Sequence, residues 1–253
     1  MKIFETLLNG ITTGSVYSLM AVALVLVWRS SRVINFAQAG QSILSTYIGY
    51  EVVLLTNSYF IGLVSAMFFG ALAGALMDLL LMRALFRQIK DGPIRFVAPV
   101  VATLGLLGIL KSIVILFWGL ENRSLESPFS TKGFGYNDKT LPFSPSDLVI
   151  IIVVVISISI LFLVFQKTSI GLQLRAAAFA PEISRLSGIK VDFVRTVGWS
   201  LAGAYGGLAG VLTTSISVIN PYSLDILLVF GFVSAVIGGL DSVLGAVAGA
   251  MVL

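Results

Sequence analysis

The sequence predicts an all-α membrane protein, a polytopic bundle of about seven helices long enough to span a bilayer. Two observations predict it. Hydrophobic residues make up 57% of the 253-residue chain and charged residues only 11%, against about 25% charged in a typical water-soluble domain. So few charges cannot cover a water-facing surface, whereas a lipid-facing surface needs none. The apolar residues also fall in long stretches. At a rise of about 1.5 Å per residue, some twenty residues cross a hydrocarbon core of about 30 Å.

The first uncharged stretch covers residues 6–28. Lys2 is the one cation before it and no small-x-small cleavage site follows, so it reads as a retained helix and not as a signal peptide. Arg29 and Arg32 mark a polar break. The second helix, 33–50, opens on Asn35-Phe36-Ala37-Gln38-Ala39-Gly40-Gln41-Ser42; these polar and small residues suit a helix start that faces protein or a cavity, not lipid. Asn57-Ser58 is a turn before the third helix, 60–82. Residues 83–95 form a basic loop, with Arg83, Arg87, Lys90 and Arg95 against Asp91, and Asp91-Gly92-Pro93 is its turn signal. The fourth helix, 96–119, carries Lys111. The longest polar segment, 120–147, holds Pro128, Pro142 and Pro145 and precedes the fifth helix, 148–165. A second basic loop, 166–195, leads to the sixth helix, 196–215. After the turn at Asn220-Pro221-Tyr222, a seventh apolar stretch starts at Ile226, is interrupted by Gly238-Gly239-Leu240-Asp241-Ser242, and runs to Leu253. No linker or low-complexity tract divides the chain, which reads as a single transmembrane domain over 1–253.

The net charge of +4 follows from the same topology. Lys and Arg collect in the loops at 29–32, 83–95 and 166–195, which the positive-inside rule places in the cytoplasm, with the N-terminus outside. A nucleic-acid partner is not needed to explain it. The chain has no cysteine and no histidine, which removes thiol nucleophiles, histidine dyads and nearly all transition-metal sites; no cofactor is expected. A Gly-x-x-x-x-Gly-Lys-Ser/Thr phosphate loop is also lacking. An enzyme, and in particular an ATPase built on that loop, is not what the sequence describes.

Within 166–195 the run Ala180-Pro181-Glu182-Ile183-Ser184-Arg185-Leu186-Ser187-Gly188 reads as a short helix, with proline at its first position and glycine just past its end. Glu182 and Arg185 suit the helix dipole and each other, and Ile183 and Leu186 share a face. A connector between two spans and a docking helix pushed by a cytoplasmic partner are both compatible with it. Among polar residues in the spans, Lys111 either snorkels or faces inward. Asp78 is expected to pair with Arg83 or nearby backbone, and Asp241 sits at a break that lines either a pathway or an exposed loop. Gly203, Gly206, Gly207 and Gly210 are expected to let helices approach closely.

Thr168-Ser169-Ile170-Gly171-Leu172-Gln173-Leu174-Arg175-Ala176-Ala177-Ala178, followed by Leu186-Ser187-Gly188-Ile189, resembles the cytoplasmic loop of branched-chain amino acid ABC transporter permeases. Val33-Ile34-Asn35-Phe36-Ala37-Gln38 resembles their Ile-Asn-Phe-Ala motif. Trp199-Ser200-Leu201-Ala202-Gly203-Ala204 with Leu208-Ala209-Gly210-Val211-Leu212 resembles their next helix, and Gly238-Gly239-Leu240-Asp241-Ser242 their Gly-Gly-x-Gly-Ser segment. The order holds along nearly the whole chain. The resemblance implies a permease subunit of the cell inner (plasma) membrane, surrounded by lipid. Its implied partners are a second permease, two ABC ATPase subunits and an external solute-binding protein. Arg175, Ala176, Glu182, Ile183, Arg185, Leu186 and Gly188 would couple it to the ATPase, and Asn35, Gln38 and Gln41 would lie on the translocation path. Two departures bear on the solute: Gln41 stands where the family often has an acid, and Asp241 where it usually has glycine. Permeases for urea and short amides share the scaffold, so they stay open as an alternative, as does a transporter or channel that works without ATP. The family normally continues by one or two further helices, so the expectation is a partial chain or a shortened relative.

Overall fold

A computed structural model describes residues 2–89, 94–136, 139–140 and 143–253. Lys90, Asp91, Gly92, Pro93 and Pro142, and the side chain of Arg95, lie outside the described residues. All seven expected stretches are helical over most of their length, but the second helix begins at Gln38, so Val33 to Ala37, Asn35 among them, precede it and do not lie inside it as expected. The elements are α1 (Lys2–Ser31), α2 (Gln38–Thr56), α3 (Tyr59–Leu76), a π-helical segment (Met77–Met82), α4 (Arg83–Gln88), α5 (Ile94–Trp118), α6 (Pro145–Lys167), α7 (Ser169–Phe179), α8 (Pro181–Leu186), α9 (Val191–Thr214), α10 (Ser223–Gly238) and α11 (Val243–Val252). A hairpin of two two-residue strands, β1 (Gly135–Tyr136) and β2 (Lys139–Thr140), is a minor exception to the all-α architecture.

Four helices of the described chain are long and apolar enough to cross a membrane, or five if the bent pair α10–α11 counts as one span. Their outer faces carry exposed Phe68, Leu80, Val101, Leu116, Ile156 and Val229, a pattern that would be unstable in water and is expected in lipid. The third span is longer than its apolar run: α3, the π segment and α4 form one rod from Tyr59 to Gln88. Basic Arg83 and Arg87 continue the helix past the apolar stretch and do not form a loop.

The core is α1 and α9, with α2 and α3 packed on α9, and α10 and α11 on α1. Residues Leu19 to Val27 of α1 are all buried, as befits a helix that is apolar on every side. The hydroxyls of Ser15 and Ser18 bond back to carbonyls of their own helix, so they need no outside partner. α9 lies so close to α3 that a Cβ on Gly203 would sit 1.9 Å from the Gly70 carbonyl oxygen. The expectation that the α9 glycines serve close packing is met. Caps set the other boundaries. Ser144 and Asp147 form a reciprocal capping box at the start of α6, with Pro145 in the first turn.

Polar contacts sort to the two ends of the bundle. At one end Arg123 and Ile219 exchange backbone hydrogen bonds, and Lys111 meets Asp225. At the other end are Arg32, Arg83, Arg185 and Arg195 with their carboxylates. The second end carries the basic segments that the charge bias places in the cytoplasm.

Candidate functional site

The basic end is built around α7, α8 and the first turns of α9. Thr168 caps α7, its hydroxyl accepting from the Gly171 amide. α8 starts at Pro181 and ends before Gly188, whose φ is +83°. That left-handed conformation suits glycine at a helix end, so both ends of the short helix are fixed by residue type. On α8 the side chains of Ile183 and Leu186 are 66% and 89% exposed, and Phe179 at the end of α7 is 91% exposed. Ser184 is the buried residue of α8. Glu182, Ile183, Arg185, Leu186 and Gly188 thus share one small projecting element. Arg175 and Ala176 stand apart from them on α7, where Arg175 donates to Gln166 at 3.1 Å.

The foot of this element is tied into the bundle by charge. Arg185 lies 3.7 Å from the Asp192 carboxylate, and Arg195 donates to the same carboxylate at 3.1 Å. Arg195 then reaches Asp78 with its Nε at 2.5 Å. Asp78 belongs to the π segment and is fully buried. Its second oxygen accepts from the Thr196 hydroxyl at 2.6 Å, with the Arg83 guanidinium further off at 3.5 Å. Arg83 also reaches the Asp192 carbonyl oxygen and the Thr196 hydroxyl. The expected partner Arg83 is therefore present, but Arg195 and Thr196 of α9 hold Asp78 more closely. A buried carboxylate is tolerated when it is paired and hydrogen-bonded in this way. Single π turns inside longer helices frequently mark functional positions.

The second set lies where α2 crosses α3 and α9. Asn35, Gln38, Gln41 and Ser42 are all fully buried. Gln38 donates to the Ala202 carbonyl oxygen at 3.0 Å, Gln41 to that of Gly70 at 2.9 Å, and Asn35 to the Gln38 side-chain oxygen at 3.1 Å. The glycines make this seam possible: a Cβ on Gly206 would lie 2.3 Å from Ser42 Oγ and 2.4 Å from Gln38 Nε2. The side-chain oxygens of Asn35 and Gln41 and the Ser42 hydroxyl are left without a hydrogen-bond partner, although buried acceptors are normally satisfied. The start of α2 faces protein, as its composition suggests.

Lys111 and Asp241 are resolved as ion pairs. Lys111 Nζ lies 2.5 Å from Asp225 and over the Tyr222 ring at 4.7 Å. Asp241 sits at the bend between α10 and α11 and binds Arg32 at 2.6 Å. Arg195, Asp192, Thr196 and Asp225 were not singled out by sequence. An acid inside an apolar run signals that some cation must meet it, but nothing local says which one. No group of three or more acidic residues able to hold a metal occurs among the described residues.

The model of the family described as branched-chain amino acid transport system / permease component matches residues 6–253. The chain is similar to the probable branched-chain amino acid transport permease protein LivH of Methanocaldococcus jannaschii, with 26% identity over 248 residues, 97% of this chain and 77% of the relative. It is similar to the high-affinity branched-chain amino acid transport system permease protein LivH of Escherichia coli, with 27% identity, 98% of this chain and 83% of the relative. The high-affinity permease protein BraD of Pseudomonas aeruginosa is 23% identical over 98% of this chain and 83% of its own length. No solved structure matches the chain.

Proposed function

The chain belongs to the branched-chain amino acid transport permease family, and on that premise we propose that it is the translocating subunit of an ATP-driven importer for branched-chain or related amino acids. Residues 1–253 act as one permease domain in the inner (plasma) membrane. A second permease, identical or homologous, completes the pathway; two ABC ATPases supply the energy, and an external binding protein delivers solute. Hydrolysis belongs to the ATPases, since this chain has no phosphate loop.

The observation that carries the reading is α8. It projects two apolar side chains, Ile183 and Leu186, beside the exposed Phe179 at the end of α7, from the basic end of the bundle, while its foot connects through Arg185, Asp192 and Arg195 to a carboxylate inside a span. Burying side chains of this kind in a partner is worth about 1.5–3 kcal/mol each. A helix with both ends fixed transmits a push that a slack loop would absorb. ATPase closure would shift α8, and the charge chain would carry that shift to α9 and the π segment. Only contacts that differ between two conformations move such an equilibrium.

Asn35, Gln38 and Gln41 belong to this reading as groups that meet solute when α2 separates from α3 and α9. In the described conformation their seam is closed. The unpartnered oxygens of Asn35 and Gln41 gain donors when the seam opens.

The test is Leu186→Glu together with Gly188→Val. The first puts a charge in the partner's groove; the second forces a β-branched residue to a φ of +83°, a conformation it rarely adopts. Purified complexes are assayed for ATPase retention and for solute-stimulated ATP hydrolysis. Loss of stimulation is expected in both. Full retention and full stimulation in both variants would leave α8 as a connector only.

A further inference from the structure

Where α1 and α6 end at the basic face, a cavity of about 180 Å³ opens between them, α7 and the start of α11. Its polar wall is Arg29, Gln166, Arg175 and Asp241, and its apolar wall includes Leu161, Phe165 and Leu244. The charges are unbalanced. Asp241 is taken by Arg32 at 2.6 Å. Arg29 stacks on the Phe165 ring at 5.0 Å, and Arg175 donates to Gln166 at 3.1 Å. Neither guanidinium has a carboxylate within salt-bridge distance among the described residues; Arg29 feels the attraction of Asp241 across the cavity, opposed by the repulsion of Arg175 and Arg32. Both are half-buried, where like charges are screened less than at an open surface.

The first turn of α11 adds to the same sign. Ser242 Oγ accepts from the Gly245 amide, and the Ser242 carbonyl oxygen from that of Ala246. The amides of Val243 and Leu244, both cavity-lining residues, are left at the positive end of the helix. The volume is below the roughly 300 Å³ at which pockets enclosing whole drug-sized ligands begin, but a tetrahedral oxyanion fits. The apolar lining continues onto exposed Phe162, Leu163 and Leu244, a surface suited to acyl chains.

We propose that this cavity binds a phosphate oxyanion between Arg29, Arg175 and the first turn of α11, and that its source is the headgroup of an anionic phospholipid whose chains lie along α6. Bound there, the headgroup clamps α7, and so the root of the α8 element, to α1 and α11. The site is independent of which solute the chain carries. Arginine forks suit phosphate oxygens, which accept several charge-assisted hydrogen bonds at once.

The full chain, purified in a neutral detergent, is titrated with dihexanoyl-phosphatidylglycerol, with dihexanoyl-phosphatidylcholine and with inorganic phosphate, and thermal unfolding is followed. The expected result is a saturable rise in Tm with the glycerol lipid and none with the choline lipid, with an apparent affinity weakened roughly tenfold in Arg175→Gln. A saturable rise with inorganic phosphate at equal strength keeps the oxyanion site and assigns it to the free ion. Equal responses to the two lipids, an unchanged response in Arg175→Gln, or no saturable response to either anion overturns the proposal. Should Arg175→Gln fail to fold, Leu244→Glu places a carboxylate at the exposed rim and gives the same comparison.

Discussion

Asp78 and Asp241 each hold an arginine distant in the sequence, Arg195 of α9 at 2.5 Å and Arg32, just past α1, at 2.6 Å. By distance the two pairs are equals. By environment they are opposites: the Asp78 and Arg195 side chains are 0% and 8% exposed, those of Asp241 and Arg32 69% and 46%. The first pair is almost wholly out of water and is supported by the Thr196 hydroxyl; the second is solvated and screened. Removing one member of a buried pair strands a charge, whereas removing one member of an exposed pair returns the other to water. Burial, and not the length of the contact, ranks the two, and under the proposed function it is the Asp78 pair that would carry a shift from α8 into a span.

The sharpest way to break this ranking is Asp78→Leu. It leaves the buried Arg195 guanidinium with the half-exposed Asp192, at 3.1 Å, as its remaining carboxylate, so the loss is expected to fall at or below the roughly 3–5 kcal/mol of a fully stranded buried charge. Thermal unfolding of the detergent-purified chain measures it. Adding Arg195→Met in the same protein removes the under-compensated buried charge, and most of the lost stability is expected to return. Together with the restored Tm, solute-stimulated ATP hydrolysis should stay low, because the charge chain to Asp192 and Arg185 is cut. If the double variant remains as unstable as the single, the pair is not the reason for the loss.

The next effect is steric. Gly203→Ala puts a methyl group 1.9 Å from the Gly70 carbonyl oxygen, so α3 and α9 must part, and overpacking of this kind costs about 1–3 kcal/mol. The lower level of folded protein after mild heating reports it. Gly105 lies on an open face of α5 with nothing near its Cβ position; Gly105→Ala is the control and should match the parent.

A smaller loss of stability, with a separate functional consequence, is expected at the seam. Gln38→Ala removes the bond to Ala202, worth about 0.5–1.5 kcal/mol net. Membrane levels should stay close to normal while uptake falls, and Asn35→Ala should behave alike. Wild-type uptake in both would take these residues off the translocation path.

Much of this was legible from sequence because the signals were local. The spans follow from apolar runs, and α8 from a proline and a glycine seven residues apart. The start of α2 declared a protein-facing surface through Asn35, Gln38 and Gln41. What stayed hidden was of two kinds. Helices that carry charge looked like loops: α4 and α7 lie in segments read as basic loops, and α9 begins at Val191, five residues before its expected start. Arginines at a membrane edge can extend from a helix into water, so charge alone does not end one. Long-range partners were the other kind. Asp78 meets Arg195 117 residues away, and Lys111 meets Asp225 114 away; periodicity within one helix carries no information about either.

The smallest effect completes the ranking. Asp241→Asn removes the Arg32 pair, and an exposed pair of this kind contributes about 0–1 kcal/mol. The bend it adjoins has an independent support. A Cβ on Gly238 or Gly245 would lie 1.9 Å from the other's carbonyl oxygen, so the two backbones touch and hold α10 against α11 without the charge. Arg32 keeps its bond to the Ala178 carbonyl oxygen. The Tm of Asp241→Asn should therefore stay near that of the parent, and the small difference should shrink further in about 1 M salt, where the screening length is near 3 Å. A loss as large as that of Asp78→Leu would mean that exposure does not decide the weight of these pairs, and Asp78 would then have no better claim than Asp241 to the proposed relay.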